Sequence, residues 1–391
     1  MTLIRKLLLW PAATISLIAI ADVATFDREA WKSDYARLKT GMAQGYANLD
    51  WQVDHRGLDL VALDKDTSNR LDGAYSHVQA YLAIKDFVAE FRDPHLRLAF
   101  GKAPDSARAV PVESNAEGQT GPTASCGNYE AEDLATSLAY PSIDGWRQVE
   151  SNNFPAGLIG DTGFVRVAEF GEGKYRSACE ESVKPGMDER ALQLATRATL
   201  NRELKATLAA LKTAGAKRLV IDVTGNGGGS EWSTEMAALF GSGEMTRQRP
   251  ILANPKCDRS AIWRGDKVCS VYGDTPQLER MIGDNSWDGP ILLLGDRNSA
   301  SATEEFIVWL RDNGRASFAG EQTMGAGCGY INGGHTFGFT AVSLHIMMPN
   351  CSRFTQDGRN EIEGIAPDFE VNWAGTEAGD YPALLDRMFA R

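Results

Sequence analysis

The stretch Lys217-Arg-Leu-Val-Ile-Asp-Val-Thr-Gly-Asn-Gly-Gly-Gly229 decides the fold class of this chain. Its apolar half is typical of a strand that is buried on both faces of a parallel sheet. Its glycine-rich half predicts a turn, because glycine accepts positive φ and lets backbone N–H groups point into open space. A second buried strand is predicted at 290–296, and helices are predicted at 187–214 and 230–239. Strands that alternate with helices indicate an α/β fold whose sites lie at the carboxyl ends of the strands.

The sequence on either side of this stretch divides the chain into four regions. Residues 161–391 are the predicted α/β core. Residues 22–100 are predicted to be an N-terminal helical region, because apolar side chains recur there at spacings of three and four. Residues 101–160 are rich in Pro, Ser, Gly, Asn and Glu, which predicts an irregular insert or linker. Residues 1–21 form the fourth region, in which a basic start precedes an apolar run.

The composition is that of a globular protein, and the net charge of the chain argues against one class of partner, nucleic acids. The 391 residues include 52 Asp and Glu against 40 Lys and Arg, which gives a formal net charge of −12. Such an acidic chain lacks the basic surface that neutralises phosphates, so no nucleic-acid partner is expected. Neither a Cys-x-x-Cys pair nor a His-Glu-x-x-His helix occurs, so no metal site and no cofactor is predicted. Nothing in the sequence indicates the oligomeric state.

The first 21 residues are typical of a secretory signal peptide. Arg5 and Lys6 precede an apolar run at 7–21, which ends in Ala19-Ile-Ala21, a small-x-small pattern of the kind found before a cleavage site. A membrane anchor is the alternative, but the run is shorter than the roughly 20 apolar residues that a spanning helix needs. No later stretch is apolar enough to span a membrane. The sequence therefore predicts an exported protein, either periplasmic or secreted.

The six cysteines fit an exported protein. Their even number predicts three disulfides, because exported proteins fold in an oxidising compartment. Short chain distances and the two strand-like runs between the last two cysteines favour one set of pairs: Cys257 with Cys269, Cys328 with Cys351, and Cys126 with Cys179. Other pairings remain open, because connectivity cannot be deduced from spacing alone.

A serine follows the second buried strand, in the run Asn298-Ser-Ala-Ser-Ala-Thr-Glu-Glu305. Ser301 and Glu304 have the spacing of a capping box, which on its own favours a helix start over a catalytic role. The two roles are compatible, because a serine at a helix N-terminus faces unpaired N–H groups and the positive end of the helix dipole. The glycine turn offers similar donors, although a plain tight turn is an alternative there. A Walker phosphate loop is excluded, because no Lys-Ser or Lys-Thr follows the glycines.

Four motifs occur in a fixed order along the second half of the chain, at 222–229, 299–304, 320–325 and 363–368. Together they resemble the C-terminal processing (tail-specific) serine peptidase family. The resemblance implies an α/β core related to Clp protease and crotonase. It also implies that Ser301 is the nucleophile and that the N–H groups of Gly228 and Ala302 form the oxyanion hole.

Position 326 departs from the family pattern, so the general base is expected from another part of the chain. Family members of the Ser-Lys type carry Gly-Lys-Gly in the turn after the third motif, whereas this chain has Gly325-Ala-Gly327. Ala326 cannot accept a proton, and a serine hydroxyl is a poor nucleophile at neutral pH without an adjacent base. A branch similar to tricorn protease instead uses a histidine in an Asp-x-His motif, which Asp93-Pro-His95 matches. The resemblance thus implies that His95 is the general base, a task that suits the pKa of imidazole.

A carboxylate late in the chain completes the set in that branch and would orient the imidazole. Glu363 lies in the matching Glu-Gly-Ile-x-Pro-Asp segment and is the first choice, with Glu361 as the alternative. The sequence therefore predicts an exported serine peptidase that hydrolyses peptides or proteins through a Ser301 acyl-enzyme, with His95 as general base. The alternative function is a non-catalytic binding protein of the same fold that carries peptides or apolar ligands.

Overall fold

The computed structural model describes residues 22–103, 124–130, 143–254, 256–272, 277–371 and 378–390. The described chain forms two compact units, and each unit is built from separate stretches of sequence. The first unit contains the described residues of 22–110, 251–274 and 329–352. The second unit contains those of 111–250, 275–328 and 353–391. The predicted signal peptide at 1–21 lies outside the described residues.

Helices dominate the first unit, as the apolar spacing predicts. They are α1 (Arg28–Gly45), α2 (Leu49–Asp54), α3 (Leu60–Gly73) and α4 (His77–Ala89). Asp27, Asp59 and Ser76 cap α1, α3 and α4 by accepting a hydrogen bond from the N–H three residues further on. An antiparallel three-stranded sheet completes the unit in the order β1 (Arg97–Phe100), β12 (Leu344–Met348), β11 (His335–Gly338). A short pair, β7 (Ile251–Leu252) with β13 (Cys351–Ser352), lies in the same unit.

A seven-stranded sheet forms the centre of the second unit. The two strands that decide the fold class are β5 (Arg218–Asp222) and β9 (Ile291–Gly295), which run parallel with Leu219 opposite Ile291. The full order is β14 (Phe369–Glu370), β10 (Ser317–Gly320), β9, β5, β4 (Thr162–Arg166), β3 (Ala156–Ile159), β2 (Trp146–Glu150). Strands β14 to β4 are parallel, and β4, β3 and β2 are antiparallel. The expected parallel sheet is therefore present, with an antiparallel edge.

Helices cover this sheet and supply the apolar side chains of its core. They are α5 (Arg176–Ser182), α6 (Glu189–Thr213), α7 (Trp232–Phe240), α8 (Ala302–Asp312) and α9 (Tyr381–Phe389). Leu204 of α6 and Phe306 of α8 are fully buried in one cluster with Ile221 of β5. A two-stranded ribbon, β6 (Ser242–Gln248) with β8 (Leu278–Asp284), is also part of the unit. The α/β fold class is confirmed.

Part of the region 101–160 differs from the irregular insert that its composition predicts. Residues 104–123 and 131–142 lie outside the described residues. The described remainder includes β2 and β3, which form the antiparallel edge of the central sheet. Composition was misleading there because Gly157 serves packing rather than a turn. A Cβ at Gly157 would lie 2.3 Å from the Trp146 ring of the neighbouring strand, so only glycine lets the two strands pair.

Each of the six cysteines takes part in a disulfide. The predicted pairs Cys126–Cys179 and Cys257–Cys269 are present, and Cys328 and Cys351 are disulfide-bonded as well. Within the described ranges, no helix has both the length and the apolar character that crossing a bilayer requires.

Candidate active site

The predicted nucleophile lies on a short turn between β9 and α8. Ser301 has φ 58° and ψ −114°, whereas the residue before a helix normally has an extended backbone. A non-glycine residue at such angles costs roughly 1–3 kcal/mol and persists only where its surroundings hold it. The Ser299 hydroxyl donates to the Val223 carbonyl at 2.8 Å, and the Ala300 N–H donates to the Asn226 carbonyl at 3.0 Å. The strained turn is therefore fixed to the chain that follows β5.

The glycine-rich turn after β5 lies directly against this serine. Gly228 has φ 107°, and a Cβ added to it would lie 2.8 Å from the Cβ of Ser301 and 2.9 Å from the nitrogen of Ala302. Only glycine fits so close an approach. Asn226 braces the turn, because its Oδ1 accepts from the Gly228 N–H at 2.9 Å and from the Thr303 hydroxyl at 2.7 Å. The ends of β5 and β9 thus bring together Ser301 and both residues that were predicted to line the oxyanion hole.

Backbone donors at this junction differ in their availability. Ala302 is the first residue of α8, a position whose N–H has no intrahelical acceptor, and no other acceptor for it is present among the described residues. The Gly228 N–H, in contrast, is bonded within its own turn. Gly229 is bridged to Phe170 through the Gly228 carbonyl and the Ser230 N–H. That pairing leaves the Gly229 N–H on the opposite side of the chain, where it is a better donor to a ligand than the Gly228 N–H.

A buried glutamate joins the serine to the turn in which Ser-Lys peptidases carry their lysine. Glu304, in the first turn of α8, accepts from the Ser301 N–H at 2.9 Å. The turn supplies its other donors, which are the Thr323 hydroxyl (2.6 Å) and the N–H groups of Gly325 (2.8 Å), Ala326 (3.1 Å) and Gly327 (2.8 Å). Burial raises the pKa of Glu304. Because Ala326 is itself buried, this turn offers backbone donors and no base.

The two candidate orienting carboxylates lie in different surroundings. Glu363 is exposed to solvent, whereas Glu361 is only 1% exposed. The Oε2 of Glu361 accepts from Nε of Arg353 at 2.8 Å, and its Oε1 has no hydrogen-bond partner among the described residues. Burial raises the pKa of Glu361 to about 7, against the opposing effect of the Arg353 and Arg247 guanidinium groups. Buried polar atoms are normally paired, so the Oε1 atom of Glu361 is an exception among the buried polar atoms of the described chain.

His95 belongs to the first unit and lies in a tight turn between α4 and β1. Asp93 shapes this turn, because its Oδ1 accepts from the His95 N–H at 2.9 Å and its Oδ2 accepts from the Tyr46 hydroxyl at 3.0 Å. The Tyr330 hydroxyl donates to the His95 carbonyl, and the two rings meet edge to face at 5.4 Å. A Cβ on Gly329 would lie 2.9 Å from Nε2 of the imidazole. The ring is therefore packed against bare backbone, and the aspartate of the Asp-x-His motif positions the peptide chain.

Three residues of this region stand out in the structure, although sequence reasoning ranked one of them second and did not single out the other two. Glu361 was the alternative to Glu363, since motif position does not reveal burial. Gly229 was within the run of three glycines, but the direction of each N–H depends on the bridge to Phe170. Arg353 belongs to none of the four motifs, and three of its four hydrogen-bond partners lie more than 25 residues away in sequence.

The central sheet, with a serine between a parallel strand and the following helix, defines a Clp protease-like α/β core. A profile of peptidase family S41 matches residues 161–371, which is more than half of the chain. The chain therefore belongs to peptidase family S41, and the family expected from the four motifs is confirmed.

Two solved structures resemble this chain over nearly its whole length. The structure of mature CPAF complexed with lactacystin aligns with a TM-score of 0.62 at 14% identity, covering 92% of this chain and 97% of that chain. A candidate peptidase from Parabacteroides merdae aligns with a TM-score of 0.56 at 14% identity, covering 92% of this chain and 96% of that chain. At such low identity the likeness shows the fold alone.

Proposed function

We propose that this chain is an exported serine peptidase that cleaves peptide bonds through an acyl-enzyme on Ser301. The observation that carries the proposal is the strained Ser301, held at the start of α8 beside the N–H groups of Ala302 and Gly229, for which the described residues provide no acceptor. In this mechanism the Ser301 hydroxyl oxygen bonds to the carbonyl carbon of the substrate and passes its proton to the base. The protonated base then gives that proton to the leaving amine, and water later hydrolyses the ester.

The developing oxyanion would be bound by the N–H groups of Ala302 and Gly229. Gly228, which the resemblance implies for this role, donates its N–H to Asn226. The role of Gly228 is instead steric, because any side chain at this position would overlap Ser301. A preorganised pair of N–H groups of this kind contributes a large share of the catalysis of acyl transfer.

His95 is proposed as the general base and Glu361 as the carboxylate that orients its ring. Ala326 occupies the usual lysine position and cannot take a proton, so a base from elsewhere is required. The packed turn that fixes the backbone of His95 supports this assignment. Glu361 is preferred over Glu363 because it is buried and keeps one carboxylate oxygen without a partner.

The substrate class is a peptide or a protein, as expected for a peptidase. Export is supported by the disulfide bonding of all six cysteines, because disulfides persist in oxidising compartments. The sequence pattern of residues 1–21 points in the same direction.

Hydrolysis of casein by the purified chain tests the proposal. Ser301→Ala should lower the turnover rate by about 10⁴-fold or more, because the groups of such a site act as a unit. Ser343→Ala, at an exposed position of the first unit, is the matched control and should keep the parent rate. Equal rates for Ser301→Ala and the parent would show that the nucleophile is assigned wrongly.

A non-catalytic binding protein of the same fold remains the second candidate, and one observation favours it. A buried alanine, Ala326, occupies the position of the usual catalytic lysine, as is expected of a family member that has lost its catalytic activity. A binding protein, however, has no need of a strained serine beside the N–H groups of Ala302 and Gly229. Covalent labelling of Ser301 by a fluorophosphonate separates the two functions, because only an activated serine reacts with it.

A further inference from the structure

A single buried arginine contacts three parts of the candidate site. Arg353 follows β13 directly and is 5% exposed. Its guanidinium makes four hydrogen bonds: Nε to Glu361 Oε2 (2.8 Å), Nη1 to Glu305 Oε2 (2.6 Å), and Nη2 to the carbonyls of Ser301 (2.7 Å) and Gly327 (2.8 Å). All three guanidinium nitrogens are therefore used.

The bond to the Ser301 carbonyl complements the bond that Glu304 makes on the other side of the same residue. Glu304 accepts from the Ser301 N–H, and Arg353 donates to the Ser301 carbonyl. Hydrogen bonds to charged groups are stronger than those between neutral groups. Two buried charged side chains thus hold the peptide groups before and after Cα of the strained serine.

The same guanidinium fixes the turn at 323–327 and the proposed orienting carboxylate. Its bond to the Gly327 carbonyl anchors the end of the turn whose N–H groups bind Glu304. Its bond to Oε2 of Glu361 leaves Oε1 as the only oxygen of that carboxylate without a partner among the described residues. Arg353 therefore determines which oxygen of Glu361 stays available.

We propose that Arg353 is a positioning residue that holds Ser301 and Glu361 in one arrangement through its four hydrogen bonds. This inference deepens the proposed function and rests on it for its catalytic consequence. Arginine suits the task because its planar group can donate in several fixed directions, which the ammonium group of lysine cannot do. A buried ion pair that serves stability alone is the competing explanation.

A neighbouring arginine supplies the matched control. Arg247 is 3% exposed and donates to Oε1 of Glu305 at 2.9 Å, so it belongs to the same buried charge cluster. Neither Ser301 nor Glu361 is among its hydrogen-bond or salt-bridge partners in the described chain. Arg247→Lys therefore disturbs the cluster without removing the bonds that Arg353 makes to the site.

The experiment compares Arg353→Lys with Arg247→Lys by two readouts. The first is the rate at which a fluorophosphonate labels Ser301, which Arg353→Lys should lower about 10²-fold because misplacement of a reacting group by about an ångström has an effect of that size. The second is hydrogen exchange of the Ser301 and Gly327 amides, whose protection Arg353→Lys should reduce more than Arg247→Lys does. Thermal unfolding midpoints of both variants are measured alongside.

The outcomes separate this inference from the proposed function. If the parent protein is not labelled but Arg353→Lys still loses protection at the two amides, the proposed function fails and the positioning role stands. If both variants lose labelling and protection equally, in step with their unfolding midpoints, Arg353 serves stability alone and the inference is overturned. Should Arg353→Lys fail to fold, Arg353→Gln is tested, and failure of both variants to fold also overturns it.

Discussion

The serine turn of the second unit and the histidine turn of the first unit are built on the same plan. Each follows a regular element and contains a non-glycine residue with positive φ, namely Ser301 (φ 58°) and Arg92 (φ 48°). Each is also held by a buried carboxylate that accepts backbone N–H groups, Glu304 in the first case and Asp93 in the second. A buried carboxylate is therefore the common device that fixes a strained turn in both units.

The two carboxylates differ in where their donors lie. Glu304 accepts five hydrogen bonds from the serine turn and from residues 323–327. Asp93 accepts from the N–H groups of His95 and Leu96 in its own turn and from the side chains of Tyr46 and Asn48, and burial raises its pKa to about 6. The carboxylate of the serine turn therefore joins it to a second turn of the same unit, whereas the carboxylate of the histidine turn titrates near neutral pH.

We expect the largest effect from replacing Glu361, the buried carboxylate of the second unit that is proposed to orient the imidazole. Glu361→Gln should lower kcat for a peptide substrate by about 10³-fold, because glutamine cannot carry the charge that stabilises an imidazolium. Glu363→Gln is the matched control and should change kcat by less than about threefold, since Glu363 is exposed. Steady-state kinetics on both variants, with urea unfolding to verify the fold, make the comparison. A larger loss in Glu363→Gln would restore the choice that the motif alone suggested.

The second effect is a pH dependence of stability at the histidine turn. The folded-state pKa of Asp93 is about 6, above its ordinary value of 3.8. The contribution of this carboxyl group to the free energy of unfolding is therefore fully present below pH 3.8 and is lost as the pH rises through 6. Asp93→Asn has no such loss and keeps an acceptor for the His95 N–H. The difference in free energy of unfolding between Asp93→Asn and the parent should therefore shift by about 3 kcal/mol in favour of the variant between about pH 4 and pH 7.

Urea unfolding at a series of pH values measures this difference. The sign is the critical part of the result, because a carboxylate stabilised by its hydrogen bonds would behave in the opposite way. A gap between the two proteins that stays constant with pH, or that shrinks as the pH rises, would show that burial does not dominate at Asp93.

The smallest expected effect compares one disulfide from each unit. Cys126–Cys179 in the second unit has a sequence separation of 53, and Cys257–Cys269 in the first has a separation of 12. Closing the longer loop restricts the unfolded chain more, by about 1 kcal/mol on loop entropy alone. Replacing the first pair by alanines should therefore lower the free energy of unfolding by more than replacing the second. The reverse order, measured by urea unfolding, would show that local packing outweighs loop length.

The elements that could be predicted from the sequence are those whose signals are local. The runs at 218–222 and 291–295 are strands because each has an uninterrupted apolar centre, at 219–221 and 291–294, and is followed by turn residues. The spacing of Ser301 and Glu304 predicted the start of α8, and the Glu304 carboxylate does accept from the Ser301 N–H. The same local reading did not show that Glu304 also supports a turn some twenty residues further along.

The features that could not be predicted depend on contacts between distant parts of the chain. Residues 251–274 and 329–352 belong to the first unit although the predicted core runs through them. The strands β2 and β3 were hidden because their glycine and polar residues serve pairing and packing. Likewise, Glu361 and Glu363 differ by burial, which their neighbours in sequence do not reveal.

Covalent labelling by a fluorophosphonate is the sharpest test that Ser301 is a nucleophile activated by His95. The reagent bonds its phosphorus to an activated serine oxygen and releases fluoride, and peptide mapping by mass spectrometry identifies the modified residue. The account predicts labelling of Ser301 in the parent and in His55→Ala, whose histidine is exposed, and loss of labelling in His95→Ala. Labelling that persists at the same rate without His95, or a folded parent protein that is not labelled at all, would contradict it.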